Sequence, residues 1–446
     1  MKLEEVFDEI TKKLKSRAVE EYEIYLAKSR DLTIGVRKAE VESLKSAETM
    51  GVSLRVIRKK SLGFSYSTEL NPRALQKMVS NAVDSSEQVG SDPYLSFPSS
   101  DLNPLPELEI FDESLSGIPT EEKILVAREL EEAARAYDPR VKQIHRATYQ
   151  ESQEEAGLRN SRGLERQMKT TLVSGDIMAV ATDNGESQVG WDLDFNHFFT
   201  GLKRKEIGVR AAQKAVDMLG ARSIKTTKCP LLLENSVASE LLGTLAPSFL
   251  AESVQKKKSA LAGRINQIIF SSLLSITDDG LYPGGMATAP FDAEGVERKR
   301  TPLIVEGRLM SYLYDLYCAL REGVSSTGNS SRPGLKIPPR VGISNLFIEK
   351  GGASLEKLMA ELGTGLLITE LLGAHTADPI SGDFSMGAAG HWVERGKRSF
   401  PIKEVAFSGN LIELFQKVKE VGSDLRFLGP VGSPSLLLEE MTISGE

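Results

Sequence analysis

The sequence predicts an α+β fold: a duplicated N-terminal region of helices and antiparallel strands, then a strand-rich C-terminal domain. Three observations carry this. A helix–strands–helix order occurs twice in the first half. The strand-like segments there are rich in β-branched and aromatic residues that alternate with charge, the pattern of antiparallel strands with one wet face. From about Lys228 onward, short strands and tight turns outnumber helical stretches. The expected domains are 1–222 and 223–446, the first holding repeats at about 1–90 and 118–222 with a proline-rich linker between them.

Each element has a local reason. Leu3, Val6, Ile10 and Leu14 recur at helical spacing, so a helix is expected over 3–15. The segments YEIYLAKS, LTIGVRKAEVESLKSAE, MGVSLRVIRK and KSLGFSYST then read as strands. Pro72 stands where a first helical turn tolerates proline, and Leu75, Met78, Val79, Ala82 and Val83 carry the second helix. SDPYLSFPSSDLNPLPELEIF reads as an extended surface linker. The order then repeats. A helix starts at Pro119-Thr120-Glu121-Glu122, strands run over 141–200, and a closing helix spans 204–219.

The second half opens with the apolar strand 230–233. The helical stretch VASELLGTLAPSFLAESVQKK follows, and Pro247 should kink it or end its first part. LIVEGRLMSYLYD is a hairpin turning at Glu306-Gly307, and STGNSSRPG is a loop without apolar residues. ISNLFIEKGG is a short strand, 355–362 a helix, LIELFQKVKEVG a short helix or turn, and GSPSLLLEEMTISG a closing strand.

Composition narrows the function classes. A chain of 446 residues with 40% hydrophobic and 26% charged residues is ordinary for a globular protein with several cores. A net charge of −7 argues against gripping a nucleic-acid backbone over a broad surface. Two widely separated cysteines, Cys229 and Cys318, argue against a disulfide framework or a thiolate-rich metal site. The N-terminus reads as a charged amphipathic helix rather than a signal peptide, and no apolar run approaches bilayer length. A cytoplasmic protein without nucleic-acid or membrane partners is expected.

The stretch 364–402 is the candidate binding region. His375 and His391 flank a polar turn containing Asp378, Ser381, Gly382 and Asp383, followed by Phe384 and Ser385. HWVE and SFPI face each other across Arg395-Gly396-Lys397-Arg398, which reads as a β-hairpin. The glycine-dense segment 387–390 would let another backbone come close, as a peptide added to a sheet edge requires. An ordinary packed loop competes with this reading, because Gly, Pro, Asp and Ser are the default turn residues.

Familiar catalytic motifs do not occur. The chain has no phosphate-cradling loop, no G-x-S-x-G elbow and no H-E-x-x-H. Ser253-Val254-Gln255-Lys256 has an S-x-x-K spacing without the partner motifs that give it meaning. His375, Asp378, Asp383 and His391 are acceptable ligand types, but their spacing demands no metal.

A set of short segments carries a resemblance. Phe291-Asp292-Ala293-Glu294-Gly295, VEGRL at 305–309 and Ser326-Thr327-Gly328-Asn329 with Arg332 come first. Asn345-Leu346-Phe347-Ile348-Glu349, Asp378-Pro379 through Ser385, and the hairpin at Arg395-Gly396 follow in order. Together the chain resembles the TldD/TldE (PmbA) family, once described as modulators of DNA gyrase and understood as metallopeptidases. The resemblance implies a His-Glu-x-x-x-His helix and a C-terminal cysteine ligand in the zinc-bearing TldD branch. Here the corresponding helix reads Gly243-Thr244-Leu245-Ala246-Pro247-Ser248, and the C-terminal segment has no cysteine.

The resemblance therefore implies the TldE/PmbA branch: a non-catalytic subunit beside a TldD-like zinc-bearing homologue, holding unfolded or modified peptide. No metal or other cofactor is expected on this chain, zinc belonging to the partner. His375, Asp378, Ser381, Gly382, Asp383, Phe384, Ser385 and His391 would line the substrate chamber or the interface. Whether the chain pairs with itself when the partner is missing stays open. So do two alternatives: a stand-alone peptide-binding protein, and an independent hydrolase with a site near His375, Asp378 and Asp383.

Overall fold

The computed structural model describes residues 3–100, 104–373 and 376–445. The first half runs α1 (Leu3–Ser16), β1 (Glu21–Arg37), β2 (Glu40–Arg58), β3 (Ser61–Ser67) and α2 (Pro72–Ser86). It then repeats as α3 (Thr120–Tyr137), β4 (Val141–Asn160), β5 (Glu165–Asp183), β6 (Glu186–Asn196) and α4 (Arg204–Asp217). At the start of α2 the Asn71 side chain accepts the N–H of Ala74, and Pro72 fills the first turn as expected.

The six strands form one antiparallel sheet in the order β3-β2-β1-β4-β5-β6. Its seam is the pairing of the two opening strands, β1 with β4, from Glu23↔Asn160 to Val36↔Ala147. The two units of like element order thus face each other across the centre of the sheet. Helices α1 and α2 bury Ile24, Leu26, Val52 and Leu54, while α3 and α4 bury Ile34, Tyr149 and Ile177. The third strand of each repeat carries a glycine where the closing helix crosses. A Cβ on Gly63 would lie 1.9 Å from the Ala82 carbonyl oxygen of α2, and one on Gly190 2.1 Å from that of Ala211 in α4.

Two expectations are corrected here. The other face of the sheet is not simply wet: Glu23, Ser53 and Arg55 are buried against the C-terminal half. Alternation of charge shows which residues leave the apolar core but not whether water or a second charged layer meets them. The linker is also more than a spacer. Phe97 and Ile110 are buried, and the Thr171 N–H donates to the Ile110 carbonyl at 2.9 Å.

The C-terminal half contains two mixed six-stranded sheets around one large core. At the centre of one lies β7 (Thr227–Leu233), parallel to Gly365–Leu372 and antiparallel to Leu436–Ser444. Lys397–Asn410 also pairs with Leu436–Ser444, so this sheet curls toward closure. The other sheet runs Arg308–Leu309, Arg300–Val305, Ile276–Asp279, Leu346–Ile348, Val431–Ser433 and Arg426–Leu428. α5 (Asn235–Leu245) follows β7 and ends before Pro247, whose ring suits the 3-10 turn Ala246–Phe249.

The hairpin at Arg395-Gly396 is present, joining Asp383–Glu394 to Lys397–Asn410. Both turn residues have positive φ, 53° and 74°, as a two-residue turn of this hand needs. The glycine-dense strand does admit a close backbone, but it is the chain's own. A Cβ on Gly390 would sit 1.9 Å from the Leu367 carbonyl oxygen. The glycine-dense stretch 387–390 is paired on both sides, so it offers no open edge to an added peptide strand.

Candidate functional site

A groove of about 960 Å³ lies between the two halves of the molecule. β6 and α4 form one wall; α5, the strand Gly365–Leu372 and the start of Lys397–Asn410 form the other. Its position follows from the fold. β7 is an apolar central strand, so the chain must leave the sheet at Glu234 and turn back as a helix. α5 buries Val237, Ala238, Leu241, Leu242 and Leu245, and the helical period then brings Ser236, Glu240, Gly243 and Thr244 to the groove. Across from them stand Met178, Val189 and Trp191, all notably exposed for apolar side chains.

One buried carboxylate fixes the walls together. Asp192 of β6 is fully buried and accepts from Arg210 Nε at 2.6 Å and Lys214 Nζ at 3.2 Å, both on α4. Arg426 from the C-terminal half lies 3.0 Å from both of its oxygens and donates to the Leu193 carbonyl at 2.8 Å. Three cations around one carboxylate compensate its desolvation. At the other end of the groove, Arg398 pairs with Asp217 at 2.9 Å, and His391 Nε2 is 3.1 Å from the Asp217 carbonyl oxygen.

The groove acids are less settled. Burial, then the nearby charge of Glu370, raises the pKa of Glu240. Burial likewise raises Glu370, offset in part by Lys214. Burial and then Arg398 hold the His391 imidazole below its usual pKa, with the Asp217 carbonyl and carboxylate opposing.

A second polar region joins the halves and is closed to solvent. Glu23 receives a two-pronged contact from Arg55, at 3.0 and 2.6 Å, and a further one from Arg332 at 2.9 Å. Arg55 also donates to Glu294 at 3.0 Å, while Glu294 accepts the Leu316 N–H at 3.0 Å. Asp292 accepts the N–H groups of Glu294, Val296 and Ser330. Burial and then the Glu294 charge push the Asp292 carboxyl up to about 7. Asp278, from the neighbouring strand, binds Asn329 and Ser344. These are segments the sequence singled out at 291–295, 326–329 and 332, and here they build a junction. The loop expected to be merely polar has Thr327, Asn329 and Ser330 buried in it.

The sequence-predicted residues divide. His375 lies outside the described residues. Asp378, Ser381, Gly382 and Asp383 come together in one turn, exposed except at Gly382, that uses its own polar groups. Asp378 Oδ1 accepts the Ile380 N–H, Ser381 Oγ accepts that of Asp383, and Asn410 Nδ2 donates to the Ser381 carbonyl and to Asp383 Oδ1. Phe384 is buried edge-to-face on Phe407, and the Ser385 carbonyl accepts from Thr376. Of the described members of the set, only His391 lines the groove. Sequence reasoning missed Glu240, Glu370, Trp191 and the Asp192 cluster. The charge of Glu370 inside the apolar run LLITELL was the one local signal.

Comparison with known proteins places the chain. Models of the PmbA/TldA metallopeptidase match three consecutive segments: domain 1 over residues 22–86, the central domain over 113–219 and the C-terminal domain over 226–445. The chain belongs to the PmbA/TldD family.

Among family relatives, Metalloprotease PmbA of Escherichia coli O157:H7 is 29% identical over 95% of this chain and 92% of its own. Metalloprotease TldD homolog of Haemophilus influenzae is 26% identical over 89% of this chain and 86% of its own. A Thermotoga maritima crystal structure, named for a candidate role as modulator of a DNA gyrase, superposes with a TM-score of 0.90 at 28% identity, covering 99% and 100% of the two chains. TldE from Thermococcus kodakarensis shares the fold at a TM-score of 0.90 and 23% identity, over 99% and 100%.

The family name implies a metal, and the residues here do not suit one. Among the described residues no group of three or more His, Cys, Asp or Glu is placed to hold an ion. His391, the imidazole in the groove wall, belongs to no such group. Both thiols are buried away from the groove; burial pushes Cys229 up to about 11 and Cys318 higher still, far from the thiolate a metal requires. No helix of the described residues is long and apolar enough to cross a membrane.

Proposed function

We propose that this chain is the non-catalytic, TldE/PmbA-like subunit of a TldD/TldE-type zinc peptidase, helping to bind and enclose unfolded or modified peptides in the cytoplasm. The observation that carries this reading is the groove face of α5, where Ser236, Glu240, Gly243 and Thr244 stand and no imidazole does. A water-activating zinc needs several protein ligands and an open position; the hydroxyls and the bare Cα supply no ligand, and Glu240 belongs to no group of three that could hold an ion among the described residues. What the groove retains is shape: a concave surface with an apolar wall and a few polar groups, as a binding site needs. In the proposed complex the zinc-bearing TldD-like homologue performs the hydrolysis, and this chain helps hold the peptide. Asp378 and Asp383 are engaged in closing a turn, which counts against an independent hydrolase centred on them.

The test is to purify this chain and a TldD-type homologue, then measure zinc content and cleavage of an unfolded peptide for each alone and for the mixture. Zinc in the homologue, with cleavage strongest in the mixture, is expected. Stoichiometric zinc and cleavage by this chain alone would overturn the proposal.

A further inference from the structure

The charges of the groove are unevenly committed. Among the described residues, each of its four guanidinium or ammonium groups has a carboxylate inside the chain: Arg210, Lys214 and Arg426 meet Asp192, and Arg398 meets Asp217. Glu240 and Glu370 face the same space, and neither carboxylate makes a hydrogen bond or ion pair with any described residue. Half-desolvated acids next to each other repel and favour taking up a proton or a cation.

A separate element supplies an independent sign. His391, on the strand Asp383–Glu394, is only 6% exposed, yet its Nδ1 has no hydrogen-bond partner. Its Nε2 meets the Asp217 carbonyl, which can only accept, so Nε2 carries the proton. The neutral ring then leaves Nδ1 as a bare acceptor, an uncommon condition for a buried polar atom. The uncommitted groups of Glu240, Glu370 and His391 are therefore all acceptors. Opposite them the 41%-exposed indole of Trp191 offers a face on which a cation can rest.

The geometry points to a positively charged N–H donor of a peptide as the ligand of this groove, bound by Glu240 and Glu370 opposite the Trp191 face, with the neutral His391 ring in the wall beside them. The inference rests on the peptide-holding reading above and narrows the peptide. An N-terminal ammonium, a lysine and an arginine share this chemistry; each brings charge and several donors, and no acceptor that the acids would repel. An anionic peptide segment would meet carboxylates that only Lys214 offsets, and only at Glu370.

The experiment uses the full chain and four short alanine–serine peptides: one with a free N-terminus, and three N-acetylated ones carrying a lysine, an arginine or neither. Binding is read by calorimetry and by tryptophan fluorescence. At least one cationic peptide is expected to bind tenfold or more tightly than the neutral acetylated one, and the arms identify which group is preferred. Combining Glu240→Gln with Glu370→Gln should erase that preference while thermal unfolding stays cooperative. Equal binding of all four peptides, no binding, or an unchanged preference in the double variant would each overturn the inference. The subunit reading is judged separately. If the mixture with the zinc-bearing homologue cuts peptides and the double variant retains its preference, only the inference falls; if the mixture gains no activity, the subunit reading falls.

Discussion

Two polar regions lie between the halves of this molecule, and they handle charge in opposite ways. In the junction, Glu23, Arg55, Glu294 and Arg332 are buried together, with guanidinium and carboxylate groups alternating along the contact. In the groove, Asp192 gathers the cations for itself and leaves Glu240 and Glu370 facing open space. The difference separates charge that specifies how domains meet from charge left available for something else. Burial raises the pKa of groups in both places, so a shifted pKa alone would not tell them apart. The inventory of partners does.

The contrast is sharpest at Arg55. Replacing Arg55 with Met removes the cation shared by Glu23 and Glu294 and leaves buried carboxylates with reduced compensation. A loss of about 3–5 kcal/mol in denaturant unfolding is expected, the usual cost of breaking a buried pair from one side. A loss below about 1 kcal/mol would remove the junction from the comparison.

Asp192→Asn should have a smaller effect, about 1–3 kcal/mol, because its partners reach partly into solvent and can rehydrate. The same change should loosen the contact of Arg426 with β6, read as faster amide exchange in Arg426–Leu428. Unchanged exchange there would show that Asp192 holds only α4.

The smallest effect is in the pH profile. Glu240 and Glu370 have raised folded-state pKa values, so the folded chain keeps their protons to higher pH than the unfolded chain does. Stability from these groups falls as pH rises above the ordinary glutamate range, and solvent screening keeps the fall shallow. Glu23 has a lowered folded-state pKa, with Arg55 and Arg332 overcoming its burial. Its contribution is present above the unfolded pKa and fades as pH falls through the folded one. Glu240→Gln with Glu370→Gln should make the upper part of the profile less steep, with Asp292 still contributing there, and leave the acid limb in place. Loss of the acid limb instead would reverse the assignment.

Much of the scaffold was legible in the chain because its causes are local. Helical spacing of Val6, Ile10 and Leu14, proline at position 72 and the Arg395-Gly396 turn act over a few residues. The segments at 291–295, 305–309 and 326–329 carry the family resemblance in residue identity alone. The groove was not legible, because β6, α4, α5 and Gly365–Leu372 meet only in three dimensions. The candidate turn at 378–385 drew notice for polar residues that the structure spends on its own hydrogen bonds, whereas His391 stood out among them without its surroundings being visible. Glu23 and Arg55 looked like solvent-facing members of alternating strands. Nothing within the strand could announce that Glu294 and Arg332, far along the sequence, would cover them.

The pairing of β1 with β4 has a consequence for how this architecture can be divided. Either repeat made alone would present a long strand with its amide and carbonyl groups unmatched, a ready template for association with other chains. A cut in the connecting segment, by contrast, would leave two pieces still bonded along that strand.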